Sequence, residues 1–194
     1  EVARGRKLMA AETADELAAE AQTRGMLASQ LVMQKGLLTP TQIDIVETLA
    51  AHHDWDFDRV TDDQIAMAVE GQWRTYSITL AWSAFDETLR LICTFEMDPP
   101  EEKLPALYDT LNRTNDMVWT GGFAFWREQK LMVWRYGLML SGGQIASAEQ
   151  VDRMIGQAVT QAERFYPAFQ LVCWGDDTPD KAMNVAIAEA YGRA

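Results

Sequence analysis

Between Asp54 and Met97 the chain alternates apolar and polar residues with a period of two, interrupted only by short turns. That period belongs to a half-buried strand, because successive side chains of a strand point to opposite faces, whereas a helix needs a period of 3.6. In Trp73–Trp82, residues Tyr76, Ile78, Leu80 and Trp82 share one face while Thr75, Ser77 and Thr79 share the other. In Thr88–Met97, one face collects Leu89, Leu91, Cys93, Phe95 and Met97. Upstream, Ile65, Met67 and Val69 oppose Ala66 and Ala68, and Trp55 and Phe57 are interleaved with Asp54, Asp56 and Asp58. Asp62-Asp63 and Glu70-Gly71-Gln72 supply the turns. Strands in succession with tight turns predict an antiparallel meander.

Helices flank this block. Thr39-Pro40-Thr41-Gln42 reads as a capped start, followed by the stripe Ile43, Val46, Leu49 and Ala50. Asp98-Pro99-Pro100-Glu101 reads as a second capped start, with Leu104, Leu107, Tyr108, Leu111 and Val118 facing the core; Pro105 predicts a late start or a bend. Gly121-Gly122 ends that helix. Two strands follow, Phe123–Arg127 and Lys130–Leu140, turning at Glu128-Gln129. Ser147 and Gln150 form a capping box ahead of a long helix with apolar residues from Val151 to Phe169, and Pro167 predicts a kink in it. Thr178-Pro179 opens a last helix to Tyr191. The order α-β-β-β-β-α-β-β-α-α predicts an α+β fold, an antiparallel sheet with helices packed on one face. Residues 1–38 stand apart as a helical appendage or tail, rich in Ala and Glu from Ala10 to Ala21; residues 39–194 form the α+β domain.

Composition narrows the function. The formal net charge is -12, which repels phosphate backbones and anionic membranes, so nucleic acid and membrane are not expected partners. The sequence shows no secretory signal and no spanning segment, since Ser29, Gln30, Gln34 and Lys35 interrupt Met26–Leu38; the expected location is cytoplasmic. Cys93 and Cys173 sit among apolar neighbours and read as buried thiols.

Reactive constellations are poor. His52 and His53 are adjacent and point to different sides of a helix. Asp54, Asp56 and Asp58 resemble the opening of a calcium loop, but Arg59 stands where glycine is needed and Ile65 where glutamate is needed. Ser141-Gly142-Gly143 lacks the phosphate-binding continuation and reads as a hairpin exit. No catalytic residue, metal or cofactor is expected. A small-ligand or enzymatic site built on His52 or His53 with Asp54 or Asp58 is the alternative.

The aromatic residues are more informative. In the late hairpin, Phe123 and Phe125 alternate with Trp126, while Leu131 and Val133 alternate with Met132, Trp134, Tyr136 and Leu138, so both faces are apolar. One face can lie under the helices, and the other needs a second copy, the N-terminal helix or a partner protein; complete burial within one subunit is the competing reading. Ile92, Trp126, Trp134 and Tyr136 are the expected partner or dimer surface.

Asp63-Gln64-Ile65-Ala66-Met67-Ala68-Val69-Glu70-Gly71-Gln72-Trp73-Arg74-Thr75-Tyr76 resembles the YbjN-domain proteins of bacteria. So do Leu91-Ile92-Cys93-Thr94-Phe95-Glu96, Gln144-Ile145-Ala146-Ser147 and Glu163-Arg164-Phe165-Tyr166-Pro167-Ala168-Phe169-Gln170. The resemblance covers about Ile43 to the C-terminus. It implies a fold like that of type III secretion chaperones, a strongly curved antiparallel sheet flanked by helices, usually dimeric. It also implies sensory-transduction regulation or chaperone-like binding as a homodimer, with no reaction to carry over and the partner unknown.

Overall fold

A computed structural model of the chain describes residues 19, 20, 22, 23, 42–142 and 144–191. The chain divides into two units, residues 1–41 and 42–194; the sheet and its helices belong to the second. Most of the helix expected over Ala10–Ala21, the cap expected at Thr39–Thr41, and Gly143 lie outside the described residues.

From Gln42 the elements are α1 (Gln42–His52), β1 (Asp56–Thr61), β2 (Gln64–Glu70), β3 (Thr75–Ser83), β4 (Thr88–Glu96), a short 3-10 turn (Glu101–Lys103), α2 (Leu104–Met117), β5 (Gly122–Trp126), β6 (Leu131–Met139), α3 (Ala148–Trp174) and α4 (Pro179–Tyr191). The strands form one six-stranded sheet in the order β1-β2-β3-β4-β6-β5, with every neighbouring pair antiparallel. The α+β class and the element order are therefore those read from the sequence.

Paired residues share a face, so the registers sort the side chains. Phe57, Met67, Ile78, Cys93, Trp134 and Phe123 lie opposite one another in turn and define the inner face. Inner-face residues of all six strands and apolar residues of all four helices form one cluster; Ile43, Ile78, Leu91, Trp134, Ile155, Phe165, Phe169 and Ala182 are at its buried centre. Burying a side chain of this size contributes about 1.5–3 kcal/mol each. No outer-face strand residue belongs to that cluster. The three aspartates before and within β1 are exposed, while Trp55 and Phe57 pack against the core.

Two local expectations change. Asp98 does not cap a helix: Pro100 precedes the 3-10 turn without a side-chain cap, and the Asp98 carboxylate accepts from Lys130 Nζ at 2.7 Å instead. The α-helix starts at Leu104, the late start that Pro105 predicts, with Pro105 in its first turn where a missing N–H costs nothing. Tyr108 leaves the core stripe and is exposed, while Leu104, Leu107 and Leu111 are buried. At α3 the capping box forms as read: Gln150 N–H donates to Ser147 Oγ at 3.1 Å, and Ser147 N–H donates to Gln150 Oε1 at 2.8 Å. The helix continues through Pro167 to Trp174.

Candidate functional site

The outer face carries Ile92 on β4, Leu131, Val133 and Met139 on β6, and Trp126 on β5, placed by the pairs Ile92–Arg135, Thr94–Val133 and Trp126–Leu131. Ile92 and Leu131 are half-buried, Val133 is buried, and Trp126 and Met139 are exposed. Around them stand small residues: Thr79, Ala81, Thr94 and Ala124. Two of the four residues expected at a partner surface, Ile92 and Trp126, therefore belong to this face.

The other two do not. Trp134 is 0% exposed and faces the helices, because its register partners Cys93 and Phe123 are core residues. Its expected place on a surface is corrected: its parity puts it under α3. Tyr136, on the same inner side, stacks on Trp134 with ring centroids 6.1 Å apart and is half-buried at the sheet margin.

Beside these two rings opens a pocket of about 210 Å³, lined by Thr120, Trp134, Tyr136 and Leu138 from the sheet side and by residues of α3 including Arg153 and Gln157. The Trp134 Nε1 donor has no acceptor among the described residues. Gly121 closes over this indole: its φ is +72°, and a Cβ there would lie 2.7 Å from Trp134 Cε2 and 2.8 Å from the Arg135 carbonyl oxygen. Only glycine combines that backbone with that approach. Asn115 then fixes the start of β5, accepting from Phe123 N–H at 2.7 Å and donating through Nδ2 to the Phe123 carbonyl at 3.1 Å. Trp119, two residues before Gly121, is 99% exposed.

The edge of β6 is uneven. Met97 N–H donates to the Lys130 carbonyl at 2.8 Å and Leu140 N–H to the Glu87 carbonyl at 2.7 Å. These bonds continue the β4–β6 ladder at both ends, so the even-numbered residues of β6 bond to β4. The odd-numbered residues turn their N–H and C=O groups the other way. Leu131, Val133 and Arg135 meet β5 there, opposite Trp126, Ala124 and Gly122. On that side Gly137 and Met139 meet no strand among the described residues.

The titratable side chains are dispersed. Cys93 and Cys173 are unbridged and buried; loss of hydration pushes the Cys93 thiol up to about 12 and the Cys173 thiol up to about 11. His53 Nε2 lies 3.0 Å from Asp152 Oδ1 and its ring stacks on Trp55 at 4.4 Å, while Asp54 and Asp58 point to water. The arrangement of the enzymatic alternative, His52 or His53 with Asp54 or Asp58, is not found among the described residues: His52 is exposed, and His53 makes a surface pair with Asp152 of α3. Among the described residues there is no group of His, Cys, Asp and Glu able to hold a metal ion, and no helix is long and apolar enough to cross a membrane. Sequence reading missed the latch in which Glu163 accepts from Tyr76 Oη at 2.6 Å, Gln72 N–H at 3.0 Å and Trp73 N–H at 3.2 Å. Burial and the adjoining carboxylate drive the Tyr76 hydroxyl far above its ordinary range.

The architecture defines an α+β protein with helices stacked on one face of an open antiparallel sheet. Residues 42–171 match the YbjN family, described as "Putative bacterial sensory transduction regulator", and the chain belongs to that family. A similar solved structure is that of YbjN from E. coli, described as "a putative transcription regulator": 13% identical, covering 80% of this chain and 96% of that chain, with a TM-score of 0.47. No curated protein matches the chain.

Proposed function

We propose that this chain is a non-catalytic, chaperone-like regulatory protein of the cytoplasm that works by binding another protein, and that two copies associate through the outer face of the sheet, opposite the described helices. The family description as a sensory transduction regulator supports a regulatory role. The observation that carries the binding reading is the outer face itself. Ile92, Val133, Leu131 and Trp126 lie along it, with Met139 at its margin, and the four described helices of the domain pack on the other side. Apolar residues ringed by small and polar ones are the composition of an interface centre.

Light scattering coupled to size exclusion tests it. The wild type should elute at twice the mass of one chain, and Ile92→Asp and Trp126→Ser should elute as monomers with the thermal midpoint of the wild type. A wild type that stays monomeric at high concentration overturns the dimer. If both variants remain dimeric, two copies associate elsewhere and the outer face is not their interface.

A further inference from the structure

We propose that the free edge of β6 at Gly137–Met139 is a docking site for an extended segment of another protein, which adds as a strand and inserts one bulky apolar side chain into the pocket beside Tyr136. This deepens the protein-binding reading above by naming the site and the chemistry of its occupant; it uses the edge of the sheet, not the face assigned to self-association.

Three observations converge. First, Gly137 and Met139 offer two N–H donors and two C=O acceptors along an edge where no described strand lies, because β5 reaches only as far as Gly122 opposite Arg135. Unpaired edge groups are the template for strand addition. Second, a residue added opposite Leu138 projects to the inner face, since paired residues share a face. That face holds the pocket of Trp134, Tyr136, Leu138 and the α3 residues. About 210 Å³ falls below the roughly 300–1,000 Å³ of sites that enclose a whole small molecule, and it suits one branched or aromatic side chain. Third, exposed apolar side chains flank the edge: Trp119 is 99% exposed next to Thr120 of the pocket, and Met139 is 79% exposed on the outer face.

Size and charge select the occupant. Two rungs of ladder and one pocket bury far less than the ~1,200 Å² total that a stable interface between globular partners needs, so a second copy is not held here by this edge alone. A net charge of -12 disfavours an acidic segment. The occupant is thus a short, neutral or basic stretch of extended chain carrying a Leu- or Phe-like anchor.

The probe is a series of blocked peptides, Lys-Thr-Val-Xaa-Val-Thr-Lys, with Phe, Leu or Asp at Xaa, titrated into the labelled full chain and followed by amide NMR. In the free protein the Gly137 and Met139 amides should exchange rapidly with solvent, and the Phe and Leu peptides should shift and protect them. The Asp peptide should bind at least about tenfold more weakly. Met139→Pro removes one edge donor without touching the β4 ladder, and Gln157→Trp blocks the pocket mouth from an exposed helix position. Each should weaken binding about tenfold, the value of one or two lost hydrogen bonds or of a lost anchor, with the fold judged intact by the remaining amide spectrum. Slow exchange of both amides in the free protein, absence of shifts there with every peptide, or equal binding of the Asp peptide overturns the proposal. A monomeric wild type would sink the dimer reading and leave this result standing.

Discussion

Replacing Glu163 tests the latch between α3 and the β2–β3 turn. One carboxylate accepts three hydrogen bonds: Oε1 from Tyr76 Oη at 2.6 Å and Trp73 N–H at 3.2 Å, and Oε2 from Gln72 N–H at 3.0 Å. Tyr76 is 0% exposed, so Glu163→Ala strands its hydroxyl away from water, at about 1–3 kcal/mol. The two turn amides can reach solvent and lose about 0.5–1 kcal/mol each. The total is about 2–5 kcal/mol. Glu163→Gln keeps an acceptor at Oε1 for Tyr76 and Trp73 but turns an amide donor toward Gln72 N–H, which costs about 1–2 kcal/mol. Tyr76→Phe removes the buried donor and leaves both turn amides bonded, at about 1 kcal/mol. Urea unfolding followed by circular dichroism should give midpoints in the order wild type, Tyr76→Phe and Glu163→Gln close together, then Glu163→Ala, with unchanged slopes. If Glu163→Gln is as damaging as Glu163→Ala, or Glu163→Ala costs less than about 1 kcal/mol, the reasoning from bond count and burial fails.

Gly121→Ala should destabilise by more than about 2 kcal/mol, since it adds both a left-handed backbone penalty at φ +72° and a clash with the Trp134 indole and the Arg135 carbonyl; thermal unfolding measures it, and a midpoint within a degree or two of wild type would refute it. Both thiols should resist alkylation at pH 8 in the folded chain and react once it is unfolded in urea, because burial raises them to about 12 and 11. The same shifts set a pH dependence. The folded values lie above an unfolded value near 8.5, so this contribution is whole below that value and is lost as pH rises toward 11–12. Cys93→Ala should therefore flatten the alkaline fall in stability seen by urea titration across that window.

The family was legible because its residues cluster in the meander and in α3, and element order followed from period and turns. Asp98 shows one limit of local reading: it has the spacing of a cap, but Lys130, 32 positions away, holds its carboxylate. Tyr76 and Glu163 show another, since 87 positions separate the partners of the latch and no local pattern joins them.

Parity within a strand is a property of the chain: from sequence alone Trp134 had to lie on the opposite face from Leu131 and Val133, because a strand alternates its side chains, whereas the register Trp126–Leu131 is what sets Trp126 apart from Trp134. Which face the helices would cover was decided by packing, where α3 lies against the side carrying Cys93, Phe123 and Trp134, and this buried Trp134 while leaving Trp126 outside. The free rungs at Gly137 and Met139 are also a product of tertiary structure. They arise because β6 pairs along its full length with β4 but beyond Arg135 has no partner from β5, a mismatch set by the Asn115 and Gly121 contacts that start β5 at Gly122.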